Sequence, residues 1–99
     1  MNKNMVKNGT VTEVTLEGRL DANSAPEAES YLLEAAKDCE KLSLDLGALV
    51  YISSAGLRVM KVVHNTMKKQ GGALVLKNVD PKVMEVFNVT GFASLLQFE

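Results

Sequence analysis

Apolar and polar residues interleave between Val11 and Glu17, where Val11, Val14 and Leu16 stand among threonines and glutamates. The alternation is imperfect, but the Val and Thr content favours extended backbone, so a strand is predicted over 11–17. A shorter strand over Met5 to Lys7 precedes it. Asn8-Gly9 between them is a hairpin signal, because both positions tolerate positive φ. Gly18 is expected to end the second strand, leaving Arg19 to Asn23 as loop with brief extended structure around Leu20. The period then lengthens. Ala28, Tyr31, Leu32, Ala35, Ala36 and Cys39 recur on one side, with Glu27, Ser30, Glu34 and Lys37 on the other. That is the pattern of an amphipathic helix lying on a sheet. Asn23 or Ser24 caps it, Pro26 is tolerated in its opening turn, and Glu27 and Glu29 suit the positive end of the helix dipole.

Leu42 to Leu46 reads as a short central strand. The stretch Asp45 to Leu57 then predicts a strand end, a short loop and a helix start. Ser53 has the side chain an N-cap needs, since its oxygen accepts from an orphan backbone N–H. Leu57, Met60, Val63 and Met67 follow at helical spacing, which places a second helix at about 54–70. Arg58, Lys61, Asn65 and Lys68 point outward, and Gly71-Gly72 ends the helix. Ala73 to Lys77 is an almost continuous apolar run, the mark of a parallel strand covered by helices. Asp80 and Pro81 open a third helix, with Val83, Val86, Phe87 and Thr90 on one side and Gly91 as its stop. Leu95 to Phe98 forms a last short strand. Strands alternating with helices predict an α/β fold: a small, mostly parallel sheet with right-handed crossovers, an N-terminal hairpin and helices packed on one face.

Ninety-nine residues suffice for one small domain. The net charge of −1 carries no electrostatic signature of nucleic-acid binding, and the basic residues are scattered, with Lys68-Lys69 their one adjacent pair. Cys39 is alone, which excludes an internal disulfide and a cysteine-rich metal site. Its place on the stripe of the first helix predicts a buried small hydrophobe. The first nine residues lack the apolar core of a signal peptide. The uncharged stretch Leu46 to Leu57 falls well short of the ~20 residues that span a bilayer. A cytoplasmic protein without direct membrane insertion is expected.

Enzyme chemistry finds no footing. A nucleophilic serine needs a base within hydrogen-bond reach. His64 is the one histidine and lies ten residues beyond Ser54 on the same helix, about 15 Å along its axis at 1.5 Å per residue. No Gly-x-Ser-x-Gly elbow and no glycine-rich phosphate loop occur. His64 is expected at the surface or rim of the second helix. Asp21 and Asp45 are too few to propose as metal ligands. No catalytic residue, metal ligand or cofactor is assigned.

The segment Ile52-Ser53-Ser54-Ala55-Gly56-Leu57-Arg58 resembles the signature of the STAS domain, the family of bacterial anti-sigma factor antagonists and transporter-associated regulatory domains. Gly18-Arg19-Leu20-Asp21-Ala22 is similar to the family segment between its second strand and first helix. Leu74 to Val79 and Phe87 to Phe92 resemble its later strand and helix. The similarity covers nearly the whole chain, so residues 1–99 are expected to form one STAS domain. Family members usually carry a further C-terminal helix; the chain stops at Glu99, so that helix is expected to be absent or trimmed.

The resemblance implies an interaction module. Family antagonists bind an anti-sigma factor that is also a serine kinase, which frees the sigma factor. The kinase phosphorylates a serine at the start of the second helix and ends binding, and a serine phosphatase resets it. In relatives the phosphorylated residue directly precedes the glycine, and counting from Asp45-Leu46 that place is Ala55. Ser54 is the favoured phosphoacceptor and Ser53 the second, with constitutive binding as a third reading. The expected docking face comprises Ser53, Ser54, Arg58 and Lys61, with Asp21 nearby. A planar Arg58 fork suits a partner carboxylate. The resemblance also admits another class, the STAS subunit of a lipid-transport ABC system bound to its ATPase.

Overall fold

The computed structural model describes residues 1–99. The strands β1 (Asn2–Asn8) and β2 (Val11–Leu20) form an antiparallel hairpin that pairs Asn8 with Val11 and Asn2 with Glu17. Its two-residue loop is Gly9-Thr10, one position later than the Asn8-Gly9 signal. β3 (Lys41–Asp45) joins β2 in parallel. One further strand, β4 (Leu49–Ile52), pairs β2 off the main path. β5 (Ala73–Lys77) and the two-residue β6 (Gln97–Phe98) extend the parallel part, giving the order β1-β2-β3-β5-β6.

Register puts the apolar positions in rows. Val14 stands beside Leu44, Leu44 beside Leu76, and Leu76 beside Phe98. The helices α1 (Ala25–Ala36), α2 (Ser54–Lys69), α3 (Pro81–Thr90) and the one-turn α4 (Phe92–Leu95) cover that face. Leu16, Leu32, Leu42, Leu44, Met60, Met67 and Leu76 are completely buried in one continuous core. Phe87 on α3 meets Phe98 edge to face at 5.7 Å, which fastens the last strand. The α/β architecture with an N-terminal hairpin and helices on one sheet face is therefore present as expected.

The opposite face carries no helix. There Lys77 reaches over β3 to Glu13 at 2.7 Å, and Lys41 reaches Glu99 at 2.8 Å. Exposed ion pairs contribute about 0–1 kcal/mol each. A lysine can also cover neighbouring side chains with its aliphatic stem while the charged tip stays wet. This accounts for Ser43 and Val75 being buried although they point away from the helices.

Several expectations need correction. Gly18 does not end β2. It adopts φ +104°, and the strand continues to Leu20. Gly18 pairs with Leu49 and Arg19 with Tyr51, so Val50 is an extra residue in a bulge. The segment expected as a loop before α2 is therefore largely β4. Leu95 belongs to α4, leaving only Gln97 and Phe98 to the last strand. Cys39 is buried but lies beyond α1, which ends at Ala36; Asp38, at φ 57°, turns the chain back over the core.

Contrary to the surface position its sequence context suggests, His64 is only 6% exposed, with Nδ1 lacking a hydrogen-bond partner. Burial lowers its pKa below the usual 6.5, and the positive charge of Lys68 one turn on adds to the effect. Lowering the pH through about 6.5 protonates the unfolded chain before the folded one, so this group's contribution to stability falls as pH drops towards the folded-state pKa. Urea midpoints measured between pH 7.5 and 5.5 should decline for the wild type, and His64→Leu should flatten that slope. Equal slopes for the two proteins would remove His64 as its source.

Candidate functional site

The loop from β4 into α2 is held by backbone bonds before any side chain acts. Ser53 N–H donates to the Leu20 carbonyl at 2.9 Å, continuing the β2–β4 pairing into the turn. Ser53 is extended (φ −99°, ψ 177°), as an N-cap should be, and its hydroxyl oxygen accepts from Gly56 N–H at 3.4 Å. Its carbonyl takes the first helical bond, from Leu57 N–H at 2.9 Å. Gly56 allows the approach. A Cβ there would lie 2.7 Å from Ile52 Cγ1, 2.8 Å from Leu20 Cγ and 3.0 Å from the Leu20 carbonyl oxygen.

Ser54 is the first helical residue. It is exposed, and its hydroxyl makes no hydrogen bond within the protein. Arg58 and Lys61 follow it one and two turns on, both exposed, and the three share one stripe of α2. None of the chain's ion pairs includes Arg58 or Lys61. Ser54, Ala55, Arg58 and Val59 form one wall of a groove of about 520 Å³. Ala22, Ala25, Pro26 and Glu29, at the start of α1, form the other.

Asp21 is placed differently. Its Oδ1 accepts from the N–H groups of Asn23 at 3.0 Å and Ser24 at 3.1 Å, while its own N–H donates to Ser24 Oγ at 3.0 Å. Ser24 Oγ in turn donates to the Arg19 carbonyl at 2.8 Å. Ser24 sits at the N-cap position of α1 without a side-chain bond into the helix. The Ser24 backbone bond, above all, holds the Asp21 carboxyl below the usual carboxylate range. Asp21 lines a separate hollow with Met1, Arg19, Asn23 and Glu27. Asp45 is likewise occupied within the fold: its two oxygens accept from Gly47 N–H at 2.9 Å and Asn78 Nδ2 at 3.1 Å, tying the turn after β3 to the end of β5.

The structure thus brings Ser54 and Arg58 into one groove and leaves Lys61 on the same stripe. It commits Ser53 and Asp21 to local hydrogen bonds. Sequence reasoning missed the α1 wall, because Glu29 reads simply as a residue suited to the helix dipole. It also missed Val50 and Tyr51, exposed on β4 just before the serines, with the Arg19 guanidinium 4.2 Å from the Tyr51 ring centroid. A β-branched residue followed by an aromatic was the available strand signal. No group of three or more His, Cys, Asp or Glu could hold a metal ion, and no helix is long and apolar enough to cross a membrane.

The family model of the STAS domain matches residues 2–99. The chain belongs to the STAS domain family. This STAS domain is 41% identical over 81 residues to the Bordetella bronchiseptica protein named "Putative anti-sigma factor antagonist BtrV", covering 81% of the chain and 70% of that relative. It is 29% identical over 96 residues to the anti-sigma-B factor antagonist of Bacillus subtilis, covering 97% and 88%. Its fold matches the crystal structure of an anti-sigma factor antagonist from Mycobacterium paratuberculosis with a TM-score of 0.86 at 20% identity, over 98% and 83% of the two chains.

Two stability measurements test this local geometry. Gly56→Ala should destabilise the domain by about 1–3 kcal/mol, the usual range for overpacking. Ser53→Ala should cost about 0.5–1 kcal/mol as a lost cap, whereas Ser54→Ala should change the urea midpoint little. A larger loss for Ser54→Ala than for Ser53→Ala would reverse the capping assignment.

Proposed function

We propose that this STAS domain is a non-enzymatic anti-sigma factor antagonist. It binds an anti-sigma factor that is also a serine kinase, frees the sigma factor, and is switched off when the kinase phosphorylates Ser54. A serine phosphatase restores it. The observation that carries this reading is the unequal state of the two serines. Ser53 Oγ is committed to capping α2, whereas the Ser54 hydroxyl is exposed and free. The names of the relatives support the antagonist assignment.

A phosphate adds about −1.5 to −2 charges at neutral pH. At the first position of α2 it meets the positive end of the helix dipole, so the fold tolerates it. The cost falls on the interface, where a bulky dianion faces a closely docked partner. Arg58 and Lys61 extend the contact along α2, Arg58 as a fork for a carboxylate. Ser53 and Asp21 contribute by shaping the loops on either side.

Incubation with the cognate anti-sigma factor kinase and ATP should add one phosphate that maps to Ser54, as intact-mass and fragment spectra will show. Ser54→Ala should abolish that addition and Ser53→Ala should retain it. Ser54→Asp and Arg58→Glu should each weaken kinase binding by about tenfold or more, the equivalent of about 1.4 kcal/mol. Phosphate on Ser53 alone would move the switch to the cap. Capture of an ATP-binding transport subunit by wild type and Ser54→Asp alike would replace the reading with that of a transporter subunit.

A further inference from the structure

The groove between the starts of α1 and α2 has apolar walls and two unused charges. Ala22, Ala25 and Pro26 on one side and Ala55 and Val59 on the other are too small to close it. Glu29 on the α1 wall and Arg58 on the α2 wall carry opposite charges. Neither enters an ion pair or a side-chain hydrogen bond, with each other or with any other group, although five ion pairs form elsewhere on the molecule. An acid and a base that line one apolar groove without meeting define a charge pattern that a partner can complement.

We infer that this groove receives an apolar side chain of the anti-sigma factor kinase, flanked by a basic group that meets Glu29 and an acidic group that meets Arg58. The inference rests on the function proposed above and adds to it the α1 wall, with Glu29 as the residue that reads the partner's charge. An apolar anchor seated in a small-residue groove and ringed by paired charges is the arrangement in which interface energy concentrates. Ser54 stands at the mouth of this groove, one helical turn before Arg58. A phosphate there competes with the partner's acidic group for the Arg58 guanidinium. The switch and the groove therefore act on the same contact.

Isothermal titration of the purified cognate anti-sigma factor kinase tests this, with wild type, Ser54→Asp, Ala22→Trp and Glu29→Lys compared side by side. Ala22 is exposed and precedes α1, so tryptophan there fills the groove without entering the core. Circular dichroism and amide spectra verify each fold. Ala22→Trp and Glu29→Lys should each weaken binding by about tenfold or more. Methyl resonances of Ala25, Ala55 and Val59 should show intermolecular contacts to an apolar side chain of the kinase. Affinities within about twofold of wild type for both groove variants, with binding still lost in Ser54→Asp, would overturn the groove inference and leave the proposed function standing. A wild-type protein that binds no such kinase would overturn both.

Discussion

The first turn of α2 runs so close to the end of β2 that no side chain fits between them. Ile52 Cγ1, Leu20 Cγ and the Leu20 carbonyl all lie within 3.0 Å of where a Gly56 Cβ would stand. Much of the fold serves this approach. β4 must sit beside the last residues of β2, which requires β2 to extend past Gly18. That extension works because the bulge absorbs Val50 and resets the register. Once β4 is in place, the Ser53 N–H reaches Leu20, the Ser53 carbonyl takes the first helical bond and the chain enters the helix at Ser54. The position of the exposed serine thus follows from strand pairing three residues upstream and from a glycine two residues downstream.

Two adjacent serines, chemically identical, are given different tasks by one backbone torsion change. Ser53 is extended and turns its oxygen inward to an orphan N–H, where it does what a cap does in any helix. Ser54 is helical and points its hydroxyl to water, beside Arg58 and across from Glu29. The same economy appears at Asp21, whose carboxylate caps the chain entering α1 and is thereby withdrawn from the α2 stripe. Residue type alone marks all three as candidate surface chemistry. Hydrogen-bond partners separate them.

Much of this was legible in the chain. The helices α1, α2 and α3 declare themselves by apolar period and by their caps, and Asp80 does accept from Lys82 N–H at 2.9 Å as its place before Pro81 suggests. The apolar run Ala73 to Lys77 coincides with β5. The losses share a cause: each depends on contact across the fold. Gly18 reads as a breaker because a bulge and a strand end look alike without the partner strand. Leu49 to Ile52 reads as loop because four residues are too few for a period. His64 reads as a surface residue because its type is polar, whereas tertiary packing buries it. Glu29 reads as a dipole partner because nothing local reveals that α1 and α2 begin side by side. The outward placement of Ser54, Arg58 and Lys61 was legible because it needs only helical geometry.

The helices α1 and α2 run parallel, and their far ends are clasped. Gln70 Nε2 donates to the carbonyls of Ala36 at 2.6 Å and Cys39 at 3.1 Å, so one amide closes the end of α1 and the chain just beyond it against the end of α2. No such clasp joins the starts of the two helices, where the groove lies. The pair is built like a clothes-peg, with its spring at Gln70 and its jaws at Ala22 and Ser54. The two ends of the helix pair are therefore unequally tied to each other, bonded at Gln70 and unbonded across the groove. The α2 jaw is in turn seated on the sheet, through the close approach of Gly56 to Leu20 and Ile52 and the bond from Ser53 N–H to the Leu20 carbonyl, so whatever presses on the jaws is felt first at the end of β2.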